Sequence, residues 1–168
     1  VGRLRVDAAP PFMLHVIVPL LEGFRDRYPQ VELELNSNEG ITDLIEKRTD
    51  VAFRIGVLRD STLHARPIGH SRIRVVASPE YLRRHGTPTR VEQLREHDLL
   101  GFTQPSSLNE WPLHDADGGP FVIEPAIASS SGETLRQMAV AGLGIACLSD
   151  FLTRQDRRDG RLVQLLAR

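Results

Sequence analysis

Over its first third this chain switches repeatedly between two hydrophobic periods, and the order of switching restricts the fold more than any other feature. RLRVDA (residues 3–8) reads as a short strand. LEGFRDRY (21–28) carries a helical stripe in which Leu20, Leu21, Phe24 and Tyr28 recur at three and four. VELEL (31–35) alternates strictly, Val31, Leu33 and Leu35 against Glu32 and Glu34, the pattern of a strand with one wet face. ITDLIEKR (41–48) predicts a short helix, and DVAFRIG (50–56) a buried strand ended by Gly56. A β-α-β-α-β order with short connections and right-handed crossovers gives a mostly parallel sheet flanked by helices. Pro10 and Pro11 suit a first helical turn. Pro19 removes a helical donor, so the first helix is either kinked there or starts late.

From about Leu63 the texture changes. LHARPIG (63–69) and RIRVVAS (72–78) read as neighbouring extended runs. SPEYLRRHG (78–86) is a helix with Ser78 as N-cap, Pro79 in the first turn and Gly86 as the stop. A shorter helix VEQLREH, a strand DLLGF, turn-rich loops TQPSSLNE and HDADGGP, and an extended FVIEPAIA follow. The chain then reads as three serines, a helix through Ala141, a buried strand GIACL, a helix from Ser149 or Asp150, and a last strand LVQLL. Two α/β lobes joined by extended crossings account for this order better than one continuous sheet, with a cleft between them.

Composition narrows the function classes. With 40% hydrophobic and 26% charged residues in 168, the chain can bury a core, and no apolar run is long enough to span a bilayer. Lys+Arg 21 against Asp+Glu 22 leaves a net charge of −1, the wrong balance for a module that grips nucleic-acid phosphates by itself. The start at Val1 reads as part of an excised domain, not of an exported precursor. Cys147, the one cysteine, lies in an apolar run and reads as a core residue in a protein of a reducing compartment. No G-x-S-x-G, H-E-x-x-H, metal-spaced Cys/His set or phosphate-binding loop occurs, so the sequence predicts neither enzyme, nor metal, nor cofactor.

The candidate binding residues cluster at strand ends. Ser130-Ser131-Gly132-Glu133 has the form of a capping box, with Ser130 as cap and Glu133 reaching back. Ser129 and Ser131 then stand spare at a helix start, where outward N–H groups and the helix dipole favour a carboxylate, sulfate or phosphate. Equally, all three are cap and turn residues bonding local backbone. Pro10, Pro11 and Phe12 follow the first strand, where open α/β sheets hold ligands, though Phe12 also suits the core. Ser37, Asn38 and Glu39 end the second strand, and Phe102 and Thr103 a later one. Arg54, ending the third, is either an anion ligand or a structural partner for Asp43, Glu46 or Asp50.

Taken together, DVAFRIGVLRDSTLHARPIG, ASPEYLRRHGTP, NEWPL and GETLRQMAVAGLGIACLSDFL followed by GRLVQLL resemble the effector-binding (substrate-binding) domain of LysR-type transcriptional regulators over nearly the whole chain. The resemblance implies a type 2 periplasmic-binding fold, with residues 1–72 plus 149–168 as lobe I and 73–148 as lobe II. It implies a bacterial cytoplasmic regulator whose N-terminal winged helix-turn-helix lies outside this chain, so that DNA is met only through that domain and no membrane is involved. A small effector, often a carboxylic or aromatic acid, would lie between the lobes against Pro10 to Phe12, Ser37 to Glu39, Ser129 to Ser131, and Phe102 with Thr103. Pro11-Phe12-Met13 stands where relatives commonly read Ser-Phe-Gly, which removes a hydroxyl and a small residue from that rim. Family precedent further implies an antiparallel homodimer through the first helix and second strand, a tetramer in the full-length protein, and a further strand and helix after Arg168. The alternative of the same fold is a solute-binding protein serving transport.

Overall fold

The computed structural model describes residues 2–37, 45, 48–56 and 64–167. The chain divides into two compact units, Val1–His70 and Ser71–Arg168. The helix expected over 41–48 lies almost entirely outside the described residues.

In the first unit β1 (Gly2–Ala8), β2 (Val31–Asn36) and β3 (Val51–Phe53) form a parallel sheet in the order β2-β1-β3. Val6 pairs with Leu35 on one side and Val51 on the other. One face packs Val6 and Ala8 against Met13 and Ile17, with Leu4, Leu35, Phe12 and Phe53 around them. The opposite face is a register-matched charge ladder, in which Arg3 meets Glu32 at 3.2 Å and Arg5 meets Glu34 at 2.6 Å. That ladder is the physical content of the alternation in VELEL.

The connection from β1 to β2 resolves the question posed by Pro19. Residues 10–27 are helical throughout, but the winding changes: α1 (Pro10–Phe12), a π turn (Met13–Ile17), a 3-10 turn (Val18–Leu20), then α2 (Leu21–Arg27). The Val18 N–H reaches back to the Met13 carbonyl and the Leu21 N–H to Val18. Pro19 has no N–H to donate to His15 and its ring crowds that carbonyl, so the turn before it widens and the turn containing it tightens.

The second unit is built on a five-stranded sheet in the order β10-β4-β9-β5-β8, where β4 is Ile73–Ala77, β5 Leu99–Phe102, β8 Ile127–Ser129, β9 Ile145–Ser149 and β10 Val163–Leu165. A separate antiparallel ribbon pairs β6 (Glu110–His114) with β7 (Pro120–Val122). Both faces of the large sheet are covered. Val75, Ala77, Leu99, Ile145 and Cys147 pack with Tyr81 of α3 (Pro79–His85), Leu94, Trp111 and Phe121. Val76, Leu100, Ala146 and Leu148 pack with Leu135 and Ala139 of α4 (Gly132–Val140) and Leu152 of α5 (Asp150–Arg158). A strand buried on both sides needs apolar residues at every position, which is why GIACL shows no alternation.

Several expectations are refined or corrected by the structure. Of LHARPIG (63–69), read as an extended run, the described residues 64–69 form no strand. VEQLREH is a 3-10 helix over Val91–Glu96, and FVIEPAIA is interrupted over residues 123–126 between β7 and β8, where Pro125 suits an edge or a bend. NEWPL, read in part as loop, forms β6. Residues 149–168, assigned to the first lobe, lie with the second unit: β10 is antiparallel to β4, and α5 closes one face of the same sheet. Charge locks this tail in place. The fully buried Asp156 of α5 accepts hydrogen bonds from Arg136 at 2.6 and 2.8 Å and from Arg161 at 2.9 Å, while Asp150 meets Arg74 of β4 at 2.5 Å.

Candidate functional site

Parallel pairing brings two of the polar strand ends together in the second unit. β5 and β8 run side by side so that Phe102 is in register with Ser129, and the Thr103 N–H donates to the Ser129 carbonyl at 3.1 Å. The chain then enters α4 directly. All of Phe102, Thr103, Ser129, Ser130 and Ser131 therefore sit at one edge of one sheet, over the N-terminus of a nine-residue helix.

The roles of the serines differ from the expected ones. Ser131, not Ser130, is the N-cap: its Oγ accepts from the Thr134 N–H at 3.4 Å and its carbonyl from Leu135 at 3.2 Å. With Ser131 as the cap, Glu133 falls at the second helical position, not the third that a capping box uses. Its carboxylate meets Arg136 at 2.8 Å, and Arg136 is in turn fixed by the buried Asp156. Ser129 Oγ accepts the Ser131 N–H at 3.2 Å and shapes the turn into the helix. Ser130 is the exposed hydroxyl with no hydrogen bond of its own, so the spare hydroxyl is the one assigned to capping. Accepting a bond does not consume a hydroxyl's proton. Ser129 and Ser131 each keep an O–H to donate, beside the free Ser130 and Thr103 hydroxyls.

Asn109 holds this edge in place. Its Oδ1 accepts the Phe102 N–H and its Nδ2 donates to the Phe102 carbonyl, both at 2.8 Å, so one side chain stands in for a neighbouring strand. The amide lies so close to the backbone that a Cβ on Gly101 would fall 2.6 Å from Asn109 Oδ1. Asn109 escaped the sequence reading. An Asn in a turn-rich loop announces side-chain bonding to backbone, but not that its partner is seven residues back.

In the first unit the three parallel strands bring Pro10, Pro11, Phe12, Ser37 and Arg54 to one edge of the sheet. Ser37 is engaged and Arg54 only in part, its Nη2 being buried with no hydrogen-bond partner among the described residues. Ser37 Oγ donates to the Ala8 carbonyl at 2.6 Å. Arg54 donates through Nη1 to the fully buried Asp7 at 2.7 Å and to the Phe53 carbonyl at 3.2 Å. Of the expected partners, Asp50 is turned elsewhere, accepting from the Arg5 N–H at 2.8 Å, and Asp43 lies with Glu46 outside the described residues. Phe12 lies against Phe53 with ring centroids 5.2 Å apart. Asn38 and Glu39 lie outside the described residues.

The displaced ionisations lie away from these edges. Burial pushes the Cys147 thiol up to about 12, and the hydrogen bonds of Arg154 and Arg74 bring Asp150 down to about 2. Among the described residues, no three His, Cys, Asp or Glu side chains gather as a metal site, and no helix is long and apolar enough to cross a membrane. The serine edge offers hydroxyl donors and an aromatic neighbour, an arrangement suited to holding a small acceptor-bearing molecule.

The family profile described as LysR substrate binding domain matches residues 1–168. The chain belongs to that family. It is 52% identical over 166 residues to the HTH-type transcriptional regulator CrgA of Neisseria meningitidis serogroup C (strain 8013), covering 99% of this chain and 56% of that protein. An uncharacterized HTH-type transcriptional regulator of Haemophilus influenzae is 32% identical over 166 residues, with 98% of this chain and 58% of that protein covered. Among solved structures, the regulatory domain of N. meningitidis CrgA superposes with a TM-score of 0.94 at 51% identity, over 98% of this chain and 81% of that one. Full-length AphB, the Vibrio cholerae virulence activator, gives a TM-score of 0.82 at 33% identity, over 99% of this chain and 57% of that one. The chain thus has the fold of LysR regulatory domains and spans a little over half the length of the regulators it resembles. Those relatives are transcriptional regulators, not enzymes or transport proteins.

Proposed function

We propose that this chain is the effector-sensing part of a bacterial cytoplasmic LysR-type regulator, and that the serine edge of the second unit binds a small carboxylate-bearing effector. The observation that carries the reading is the group of hydroxyls at Thr103, Ser129, Ser130 and Ser131, gathered by the β5–β8 pairing over the start of α4. A carboxylate oxygen has lone pairs for several donors, and a helix N-terminus adds favourable potential. Phe102 offers an apolar wall beside the donors. Within the first unit, Pro10, Pro11 and Phe12 form an apolar rim at the strand ends, a separate candidate contact surface. Ser37 and Arg54 would act mainly through the backbone and the Asp7 carboxylate they already hold.

A ligand that binds one conformation of the domain better shifts its population by that difference in affinity. DNA would be contacted by a helix-turn-helix domain such as the names of the relatives indicate. Leu14, Val18 and Leu20 of the first helical stretch are exposed apolar side chains and are candidates for a homodimer contact, whereas Leu21 belongs to the core.

The test is a thermal-shift screen of this chain against small aliphatic and aromatic carboxylic acids. An acid at about a hundred times its dissociation constant stabilises by roughly 2.7 kcal/mol, an easily read shift. Ser130→Ala is the informative variant, since that hydroxyl supports nothing in the fold. It should leave the melting temperature unchanged without ligand and weaken the best acid several-fold. Unaltered affinity would remove the serine edge from the site.

A further inference from the structure

We propose that Tyr81, His97 and His85 form an acid-sensitive latch, which fastens the end of α3 to the start of β5 and opens when His97 takes up a proton.

The hydrogen-bond arithmetic at Tyr81 favours a neutral His97, the one arrangement in which every polar group here has a partner. The Tyr81 ring is fully buried in the core beneath the sheet. Its hydroxyl oxygen accepts the Asp98 N–H at 3.1 Å and lies 2.9 Å from His97 Nδ1. A phenol has one proton, and with Asp98 already donating, that proton belongs on Nδ1. The imidazole must then carry its own proton on Nε2. Protonated His97 would instead donate to the phenol, whose oxygen would then accept twice, and the phenol proton would lose its acceptor on Nδ1.

The surroundings add to this preference. His85, on the last turn of α3, stacks on the other side of the arrangement, its ring centroid 4.5 Å from that of Tyr81. The charged and titratable groups that act on His97 are His85 from α3, Glu96 from the end of the 3-10 helix and Asp98 before β5. Burial, followed by His85, outweighs the two carboxylates and holds His97 below its ordinary 6.5. From β9 comes only backbone: the Ile145 N–H donates to the Asp98 carbonyl at 2.9 Å, and Gly144 leaves no room for a side chain there, since a Cβ would lie 2.5 Å from that carbonyl.

Asp98 is therefore held from both sides, by Tyr81 at its N–H and by Ile145 at its carbonyl. Loss of the Tyr81 contact frees one side of the residue that starts β5, the strand whose other end is Phe102. The sign follows from linkage. A histidine bound neutral in the folded chain contributes stability that is complete above 6.5, its ordinary value, and that is lost as pH falls from there toward the lowered folded value.

The test is a pH titration of the chain, with the histidine ring signals followed by NMR and thermal unfolding followed by Trp111 fluorescence. His97, assigned by its disappearance in His97→Asn, should titrate below 6.5. The melting temperature should fall over the same interval. In His97→Asn, whose Oδ1 can still accept from the phenol, the acid-dependent fall should shrink, and in Tyr81→Phe the His97 transition should move upward. If either variant fails to fold, His97 is assigned in the unaltered chain by correlating its ring signals with its backbone, and its titration still decides. A His97 that titrates at or above 6.5, or a His97→Asn chain that loses melting temperature with acid as steeply as the parent, would overturn the latch.

Discussion

Replacing Gly101 by alanine adds one methyl group where three side chains already converge. The new Cβ would lie 2.6 Å from Asn109 Oδ1, 2.8 Å from Pro125 Cγ and 2.9 Å from Ile123 Cδ1. None of these separations is tolerable, so either the neighbours move or Asn109 releases Phe102. Overpacking of this kind costs about 1–3 kcal/mol. Giving up the two Asn109 bonds costs about as much, at roughly 0.5–1.5 kcal/mol each. Alanine recovers about 0.4–1 kcal/mol by restricting the unfolded chain. The net expectation is a loss of about 1.3 kcal/mol. Trp111, the one tryptophan, is buried against Phe121 in the second unit and reports that unit's unfolding by fluorescence. With a urea slope of about 2 kcal/mol per molar, the midpoint should fall by about 0.7 M. The mechanism is tested by a double-mutant cycle with Asn109→Ala, which removes the obstructing oxygen. The double variant should be more stable than the sum of the two losses by about 1 kcal/mol. Losses that add to within about 0.5 kcal/mol would refute the proposed collision.

Other consequences can be checked on the same material. Asp156→Asn leaves Arg136 and Arg161 facing a neutral amide and should cost about 3 kcal/mol in urea titrations, the low end for breaking a buried pair because both guanidiniums reach solvent. Asp150, held down to about 2 first by its hydrogen bond from Arg154 and then by Arg74, contributes stability that is complete above 3.8 and lost as pH falls toward 2. Its replacement by Asn should flatten that part of the stability profile. Cys147 is buried with its thiol pushed up to about 12, so an aromatic disulfide reagent near neutral pH should find no thiol in the folded chain and one in denaturant.

The parts of the fold that show a period are the parts that could be read from the sequence. VELEL alternates because its glutamates meet Arg3 and Arg5 across β1 while its apolar positions face the helical connection. SPEYLRRHG announces its helix through local chemistry, Ser78 accepting from Tyr81 at 3.1 Å and Gly86 ending the turn. What escaped depends on distant partners. The cap is Ser131 and not Ser130, and Glu133 pairs with Arg136, which is itself held by an aspartate twenty residues on. Nothing local in residues 149–168 says that β10 pairs with β4, which placed that tail in the wrong unit. The candidate site was legible as a set of strand ends. The bonding of its hydroxyls, and the Asn109 amide behind them, were not.

The most direct test of the effector reading is an amide chemical-shift titration of the isotope-labelled chain with the tightest carboxylic acid found by thermal shift. The account predicts saturable shifts centred on Thr103 and on Ser129 through Gly132, with a several-fold weaker dissociation constant in Ser130→Ala. Saturable shifts that leave those amides unmoved, or a screen in which no acid stabilises the chain, would contradict it.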